Sequence, residues 1–230
     1  MTSTSNNRLR IVELGVLDYV EALEIQADYH ARLIKQEIPD TLLICEHPAV
    51  ITHGRGAGNK NIIASAEQLE QLKIPVVEVG RGGDVTWHGA GQLVAYPLLD
   101  LRKQKQDVAW YLRKLEDVII ALLAEYDISA QRICDKTGVW VQDRKIASIG
   151  IKLSRWCSMH GFSINYLNCQ SSFQLIRACG LPDLQVTSII EERPELPQQS
   201  LTLNAVSKRL ISCFLTEFEY TKHEQEKNNR

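Results

Sequence analysis

Apolar and polar positions recur along this chain with two periods, near 2 and near 3.6, and the switches between them mark out its elements. Residues 9–15 (LRIVELG) read as a short first strand. Asp18, followed three residues later by Glu21, makes a capping box that opens a helix running to about Glu37. Val20, Leu23, Ala27, Ala31 and Ile34 form its apolar stripe, and Pro39 ends it. Two apolar runs around Glu46-His47-Pro48 predict two strands meeting at a turn. Ser65 with Gln68 caps a short helix to about Leu72, and Pro75–Val79 reads as a buried strand. Leu93, Ala95 and Leu98 alternate as a further strand. The clearest helix starts near Asp107, with Val108, Leu112, Leu115, Ile119, Leu122 and Tyr126 on its core face. Residues 138–154 predict a hairpin turning near Asp143-Arg144, and 156–166 a third strand interrupted by a glycine, often a mark of a bulge or a ligand contact. A short helical turn falls within 170–188. The last helix carries Val206, Leu210, Phe214 and Phe218 at i, i+4 spacing, and the polar tail after Tyr220 reads as disordered. With no internal repeat and no long linker, residues 1–220 form one domain and 221–230 a tail.

Composition narrows the class without naming a chemistry. A formal net charge of −2 gives no global basic field to attract nucleic acid. The polar N-terminus lacks the apolar run of a signal peptide, and no stretch has the length to span a bilayer. The expectation is a soluble cytoplasmic protein that binds neither nucleic acid nor membrane. None of the six cysteines belongs to a C-x-x-C pair, so most read as small buried hydrophobes.

Chemistry concentrates in few places. Gly82, Gly83, Gly89 and Gly91 fall within ten residues around His88, a density suited to a loop moulded on a ligand. A second loop, HGRGAGNK at 53–60, matches neither G-x-x-x-x-G-K-[ST] nor G-x-G-x-x-G. Cys179, followed by Gly-Leu-Pro, lies on irregular backbone where a thiol can face a cleft, although a buried cysteine at a turn fits the spacing as well. Lys145 begins an otherwise apolar strand, where it either ends a hairpin at the surface or faces a site. His47, His53, His88 and His160 lack the i, i+4 spacing and neighbouring carboxylates of a metal site, so no metal is expected. Arg102, Lys103, Lys105, Arg113 and Lys114 form a basic cluster, either a solvated face or a dock for an acidic partner.

Four segments in this order, RGGDVTWHGAGQLVAYPLLDL, GVWVQDRKIASIGIKL, HGFSIN and ACGLPDLQVTSI, with EHPAVITHGR upstream, resemble the lipoyl(octanoyl) transferases. The matching stretches run from about Thr41 to Ile190. The resemblance implies an α+β single domain with a mixed, largely antiparallel sheet and packed helices, like the biotin and lipoate protein ligases. It implies an enzyme that moves octanoyl from octanoyl-acyl carrier protein to a lysine of lipoyl domains through a cysteine thioester. The expected acceptors are the lipoyl domains of 2-oxoacid dehydrogenase acyltransferase subunits and the glycine cleavage H protein. Position by position, the nucleophile falls on Cys179 and its activating lysine on Lys145. The acyl-binding loop falls on Arg81, Gly82, Gly83, Asp84, Val85, Thr86, Trp87 and His88. The pocket-lining segments fall on Ser148, Ile149 and Gly150 and on Gly161, Phe162 and Ser163. Trp87 stands where the family more often has tyrosine, and Ala90 where it has proline. A thioester donor is already activated, so no cofactor and no ATP is expected. Two rivals stay open: an ATP-dependent biotin or lipoate ligase of the same fold, and a non-catalytic acyl-binding module.

Overall fold

The computed structural model describes residues 8–54, 58–167, 170–178 and 184–227. In chain order its elements are β1 (Arg8–Val16), α1 (Tyr19–Ile34), β2 (Asp40–Glu46), β3 (Val50–His53), α2 (Ala66–Gln71), β4 (Val76–Glu78), β5 (Val85–His88) and β6 (Gln92–Leu98). There follow α3 (Val108–Ala124), β7 (Gln131–Ile133), β8 (Lys136–Val141), β9 (Arg144–Ser154), β10 (Cys157–Asn165), α4 (Gln170–Phe173), α5 (Ile189–Glu192), α6 (Leu203–Glu217) and β11 (Lys222–Lys227). Side chains of Asp18, Ser65, Asp107 and Thr202 accept backbone N–H groups at the starts of α1, α2, α3 and α6. Each such cap contributes about 1 kcal/mol.

Eight strands form one sheet in the order β11-β1-β2-β6-β10-β9-β8-β7, and β4-β3-β5 form a second. In the large sheet β1 pairs parallel with both β11 and β2, and every other pairing is antiparallel. This is the α+β, largely antiparallel arrangement that the family resemblance implies. Strand alternation gives the large sheet two apolar faces. From β2, Leu42 and Ile44 enter the core beneath α3 and α6, while Leu43 and Cys45 enter the one beneath α1. The small sheet has a third core of its own, in which Ile51, Val85 and Trp87 pack against Leu69 of α2 and Phe173 of α4. Among the described residues no helix is long and apolar enough to cross a membrane.

Four sequence expectations need correction. The buried stripe of α1 is Tyr19, Ala22, Gln26, His30 and Leu33, one residue out of step with the expected one, and Val20 is 47% exposed. Two polar residues on that stripe satisfy the backbone of β10: Gln26 Oε1 accepts the His160 N–H at 3.2 Å, and His30 Nε2 reaches the Cys157 carbonyl at 3.2 Å. A purely apolar search therefore selects the wrong face. The core face of α3 includes Tyr111, Val118 and Leu123, whereas Val108 is 45% exposed. The expected buried strand at 75–79 is β4, an exposed edge of the small sheet. The tail expected to be disordered instead supplies β11, which pairs with β1 from Arg8↔Lys222 to Glu13↔Lys227. Its polar residues suit an edge: Glu224 meets Arg8 and Arg10, and Gln225 meets Glu13.

Candidate functional site

A cavity of about 530 Å³ lies at the seam between the two sheets. That volume is in the range of small-molecule sites. On the small-sheet side it is lined by Arg81, Gly82, Gly83, Asp84, Val85, Thr86 and His88, and on the large-sheet side by Ser148, Ile149, Gly150, Gly161, Phe162, Ser163 and Lys145. The structure thus brings both groups of sequence-predicted residues to one cavity, except Trp87 and Cys179. Trp87 turns away into the third core, edge-on to Phe173 at 5.8 Å. Its ring lies over residue 89, where any Cβ would come within 2.1 Å of it, so glycine is required there. Cys179 lies outside the described residues.

The wall from 81 to 84 is fixed by its own arginine. Arg81 donates from Nη1 to the carbonyls of Gly82 and Asp84, and from Nη2 to the carbonyl and hydroxyl of Thr52 on β3. Gly82 N–H then reaches the Ile151 carbonyl on β9 at 2.9 Å, which ties the wall to the large sheet. A Cβ at Gly54 would lie 2.1 Å from the Gly83 carbonyl oxygen, so the second glycine-rich loop begins with a glycine because the first loop lies on it. On the floor, Ser148, Ile149 and Gly150 face Ser163, Phe162 and Gly161 directly across β9 and β10. A Cβ at Gly161 would lie 2.2 Å from the Ala95 carbonyl of β6, so the interior glycine marks a close strand approach.

Lys145 is 4% exposed. Its Nζ lies 5.3 Å from the centre of the Trp140 ring, in a cation–π arrangement. Gly138, with φ of 122°, makes room for it: a Cβ there would sit 2.6 Å from Lys145 Cε. The Gly138 N–H is held by buried Glu116 of α3, which also accepts Arg113 and Arg132. The Lys145 backbone receives the chain returning after position 179. Lys145 N–H donates to Gln185 at 2.8 Å, and Thr187 N–H donates to Lys145 at 2.9 Å. Ala178 and Val186, on either side of the undescribed residues, share the third core.

Of the histidines read as possible metal ligands, His47 and His88 are held by the protein itself, whereas the buried Nδ1 of His160 has no hydrogen-bond partner among the described residues. His47 donates from Nδ1 to the Leu17 carbonyl, and its Nε2 meets the Tyr96 hydroxyl at 2.7 Å. His88 Nδ1 lies 2.7 Å from Gln92 Oε1, and the ring stacks on Tyr19. Burial, with His47, Arg81 and His160 adding positive charge, pushes His88 down to about 3, and burial with Arg81 pushes His160 down to about 4. Burial pushes Tyr19 up to about 12, so its hydroxyl stays protonated. Among the described residues no group of three His, Cys, Asp or Glu is placed to hold a metal ion. The basic cluster is largely compensated: Arg102 pairs with Asp100, Lys105 with Asp107, Arg113 with Glu116 and Lys114 with Glu217. Sequence reasoning missed Gly138, which a glycine-to-lysine contact across a hairpin does not announce, and Gln92 and Asn165, which stood inside matching segments without a role.

The profile of the lipoyl protein ligase A/B catalytic domain matches residues 18–215. The chain is similar to an octanoyltransferase of Syntrophobacter fumaroxidans, 45% identical over 179 residues and 78% of each chain. It is also similar to an octanoyltransferase of Synechococcus elongatus, 40% identical over 210 residues, 91% of this chain and 87% of the relative. Among solved structures, a lipoate-protein ligase A bound with ATP superposes with a TM-score of 0.74 over 98% of this chain and 90% of its own, at 11% identity. A lipoate protein ligase of Thermoplasma acidophilum, from an archaeal lipoylation system with its E2 lipoyl domain, gives 0.70 over 97% and 88%, at 12% identity.

Proposed function

This chain belongs to the lipoyl protein ligase A/B catalytic domain family, and from that premise we propose that it is an octanoyltransferase working through a Cys179 thioester with Lys145 as its proton-handling partner. Octanoyl-acyl carrier protein is the donor, and a lysine of a lipoyl domain, in 2-oxoacid dehydrogenase acyltransferase subunits or the glycine cleavage H protein, is the acceptor. A donor of this kind sets the reaction in the cytoplasm. The observation that carries the reading is the shared cavity: Lys145, the 81–88 wall and the facing segments 148–150 and 161–163 converge on one space.

In the first half-reaction Cys179 passes its thiol proton to Lys145, and the thiolate attacks the thioester carbonyl carbon. A new C–S bond forms, the carrier's C–S bond breaks, and the departing thiolate takes up the proton from Lys145, leaving it neutral. A nearby cation favours the attacking thiolate, since a free thiol with a pKa of about 8.5 is mostly protonated at neutral pH. In the second half-reaction the acceptor amine attacks the Cys179 thioester. The C–N bond forms, the C–S bond breaks, the thiolate returns, and Lys145 takes the proton that the amine sheds. Backbone N–H groups of the wall other than that of Gly82, which the Ile151 carbonyl takes, would donate to the carbonyl oxygen. No adenylation is needed, because the thioester carries the activation. Apolar lining from Val85, Ile149, Ile151 and Phe162 suits an alkyl chain.

Intact mass spectrometry after incubation with octanoyl-acyl carrier protein tests this. The expected result is one octanoyl adduct without ATP, lost in Cys179→Ala and retained when any other cysteine is replaced. An adduct that persists on Cys179→Ala moves the nucleophile elsewhere. A strict ATP requirement favours the ligase alternative that the shared fold suggests.

A further inference from the structure

Gln92 and Asn165 face each other across β6 and β10 as register partners, both almost fully buried. Their amides form a chain whose direction is dictated at one end. The Thr187 carbonyl can only accept, so Asn165 Nδ2 donates to it at 3.0 Å. Asn165 Oδ1 then turns to Gln92 and accepts its Nε2–H at 2.9 Å. This leaves Gln92 Oε1 facing His88 Nδ1 at 2.7 Å, and an oxygen there requires a hydrogen on Nδ1. Flipping either amide sets N–H against N–H or oxygen against oxygen at a buried contact. Thr187 in turn donates its N–H to the Lys145 carbonyl, so the chain starts on the same strand that holds Lys145.

We infer that Gln92 and Asn165 are positioning residues that lock His88 as its Nδ1–H tautomer and so present Nε2 in the cavity as a hydrogen-bond acceptor for an N–H group of the substrate. His88 lines the cavity, and its Nε2 has no hydrogen-bond partner among the described residues. Its surroundings fit a neutral acceptor. Tyr19 stacks on one face, His47 meets the ring edge-on at 5.9 Å, and Arg81 and His160 line the same cavity. Burial among these groups keeps the ring unprotonated at neutral pH. Such an imidazole does not store a proton but receives a hydrogen bond, and thereby orients the group that donates it. An octanoyl chain has no N–H, so the donor is either the acceptor lysine's amine or an amide N–H on the carrier's arm. We assign the amine, whose lone pair must be turned toward the thioester. That assignment rests on the transferase reading, whereas the tautomer does not.

Two measurements on the full chain separate these claims. Long-range 1H–15N spectra, assigned with His88→Gln, are expected to show His88 as the Nδ1–H tautomer at pH 7. The Nε2–H tautomer in the unsubstituted protein overturns the proposal whatever the enzyme's substrate, and this arm needs no positioning variant to fold. Gln92→Leu removes the acceptor and is expected to shift the tautomer population and to slow onward transfer to the lipoyl domain roughly 2–10-fold, the loss of one hydrogen bond between neutral groups. Loading of Cys179 should then change little. Slower loading with unchanged onward transfer overturns the amine in favour of the carrier amide. Gln92→Glu keeps an acceptor at Nδ1 but sets an oxygen against Asn165 Oδ1, so it is expected to retain the Nδ1–H tautomer at a cost in stability, while its charge adds a new limb to the pH profile of transfer. If Gln92→Leu leaves the tautomer and both half-reactions unchanged, the relay has no role.

Discussion

A missing methyl at position 138 decides where the Lys145 side chain lies. With φ of 122° and only 2.6 Å between its ideal Cβ and Lys145 Cε, residue 138 tolerates glycine alone. Gly138→Ala is expected to displace the lysine and slow thioester formation at least tenfold, with a backbone cost of about 1–3 kcal/mol. Stopped-flow loading alongside urea unfolding checks both; full-rate loading in a folded variant would show that the lysine's position is not set there. Lys145→Arg keeps a cation without a usable base, and Lys145→Ala loses both. Both are expected to be slow in onward transfer, and an arginine variant at full speed would assign the residue a purely electrostatic role. At this scale the sequence was informative where a side chain carries its own chemistry, as for Lys145 and His88. It was silent where the property is an absence, as at Gly138, or a contact between amides 73 positions apart, as for Gln92 and Asn165.

Elements defined by local signals were legible. The starts of α1, α2 and α3 and the hairpin of β8 and β9 all stand where the sequence predicts them. Elements decided by their neighbours were not. The α1 stripe slipped by one residue because Gln26 and His30 serve the backbone of β10, and β11 forms because β1 offers an unpaired edge to a charged tail. Ending the chain at Tyr220 is therefore expected to leave β1 as an open edge and to promote self-association, which edge strands do when uncovered. Sedimentation velocity at increasing concentration checks this, and a truncated chain that sediments as the full one does would show that β11 is dispensable. Gly161→Ala forces β10 from β6 and is expected to cost about 1–3 kcal/mol, read as a lower urea midpoint.

At the scale of the whole molecule, burial lowers the proton affinity of four imidazoles, His30, His47, His88 and His160, of which His88 and His160 line the cavity. Arg81 and Lys152 face His160 and reinforce the shift. Unfolded, each titrates near 6.5; folded, His88 and His160 resist protonation until about 3 and about 4. Above pH 6.5 both states are neutral and stability is undiminished. As pH falls below 6.5 the unfolded chain takes up protons that the folded one refuses, so stability is lost. At pH 5 the loss is about 2 kcal/mol for each such group. Asp40, whose carboxyl burial pushes up, acts with the opposite sign near its own range. The urea midpoint is expected to drop from pH 7 to pH 5, and by less in His160→Gln. Equal drops in the two proteins would mean that this imidazole titrates alike in both states.

The cavity sits where two sheets with separate cores meet, one wall belonging to each. A molecule that fills it touches both, so its affinity is also free energy holding the small sheet against the large one. By mass action, occupancy at a hundred times the dissociation constant adds about 2.7 kcal/mol to whatever opening separates those walls. Amide hydrogens of β3, β4 and β5 should exchange more slowly with deuterated solvent once an octanoyl ligand is bound, while those of β11 and β1, two or more strands away from the lining strand β6, keep their rates. The smaller sheet is thus the part of the fold whose opening should follow what the cavity holds.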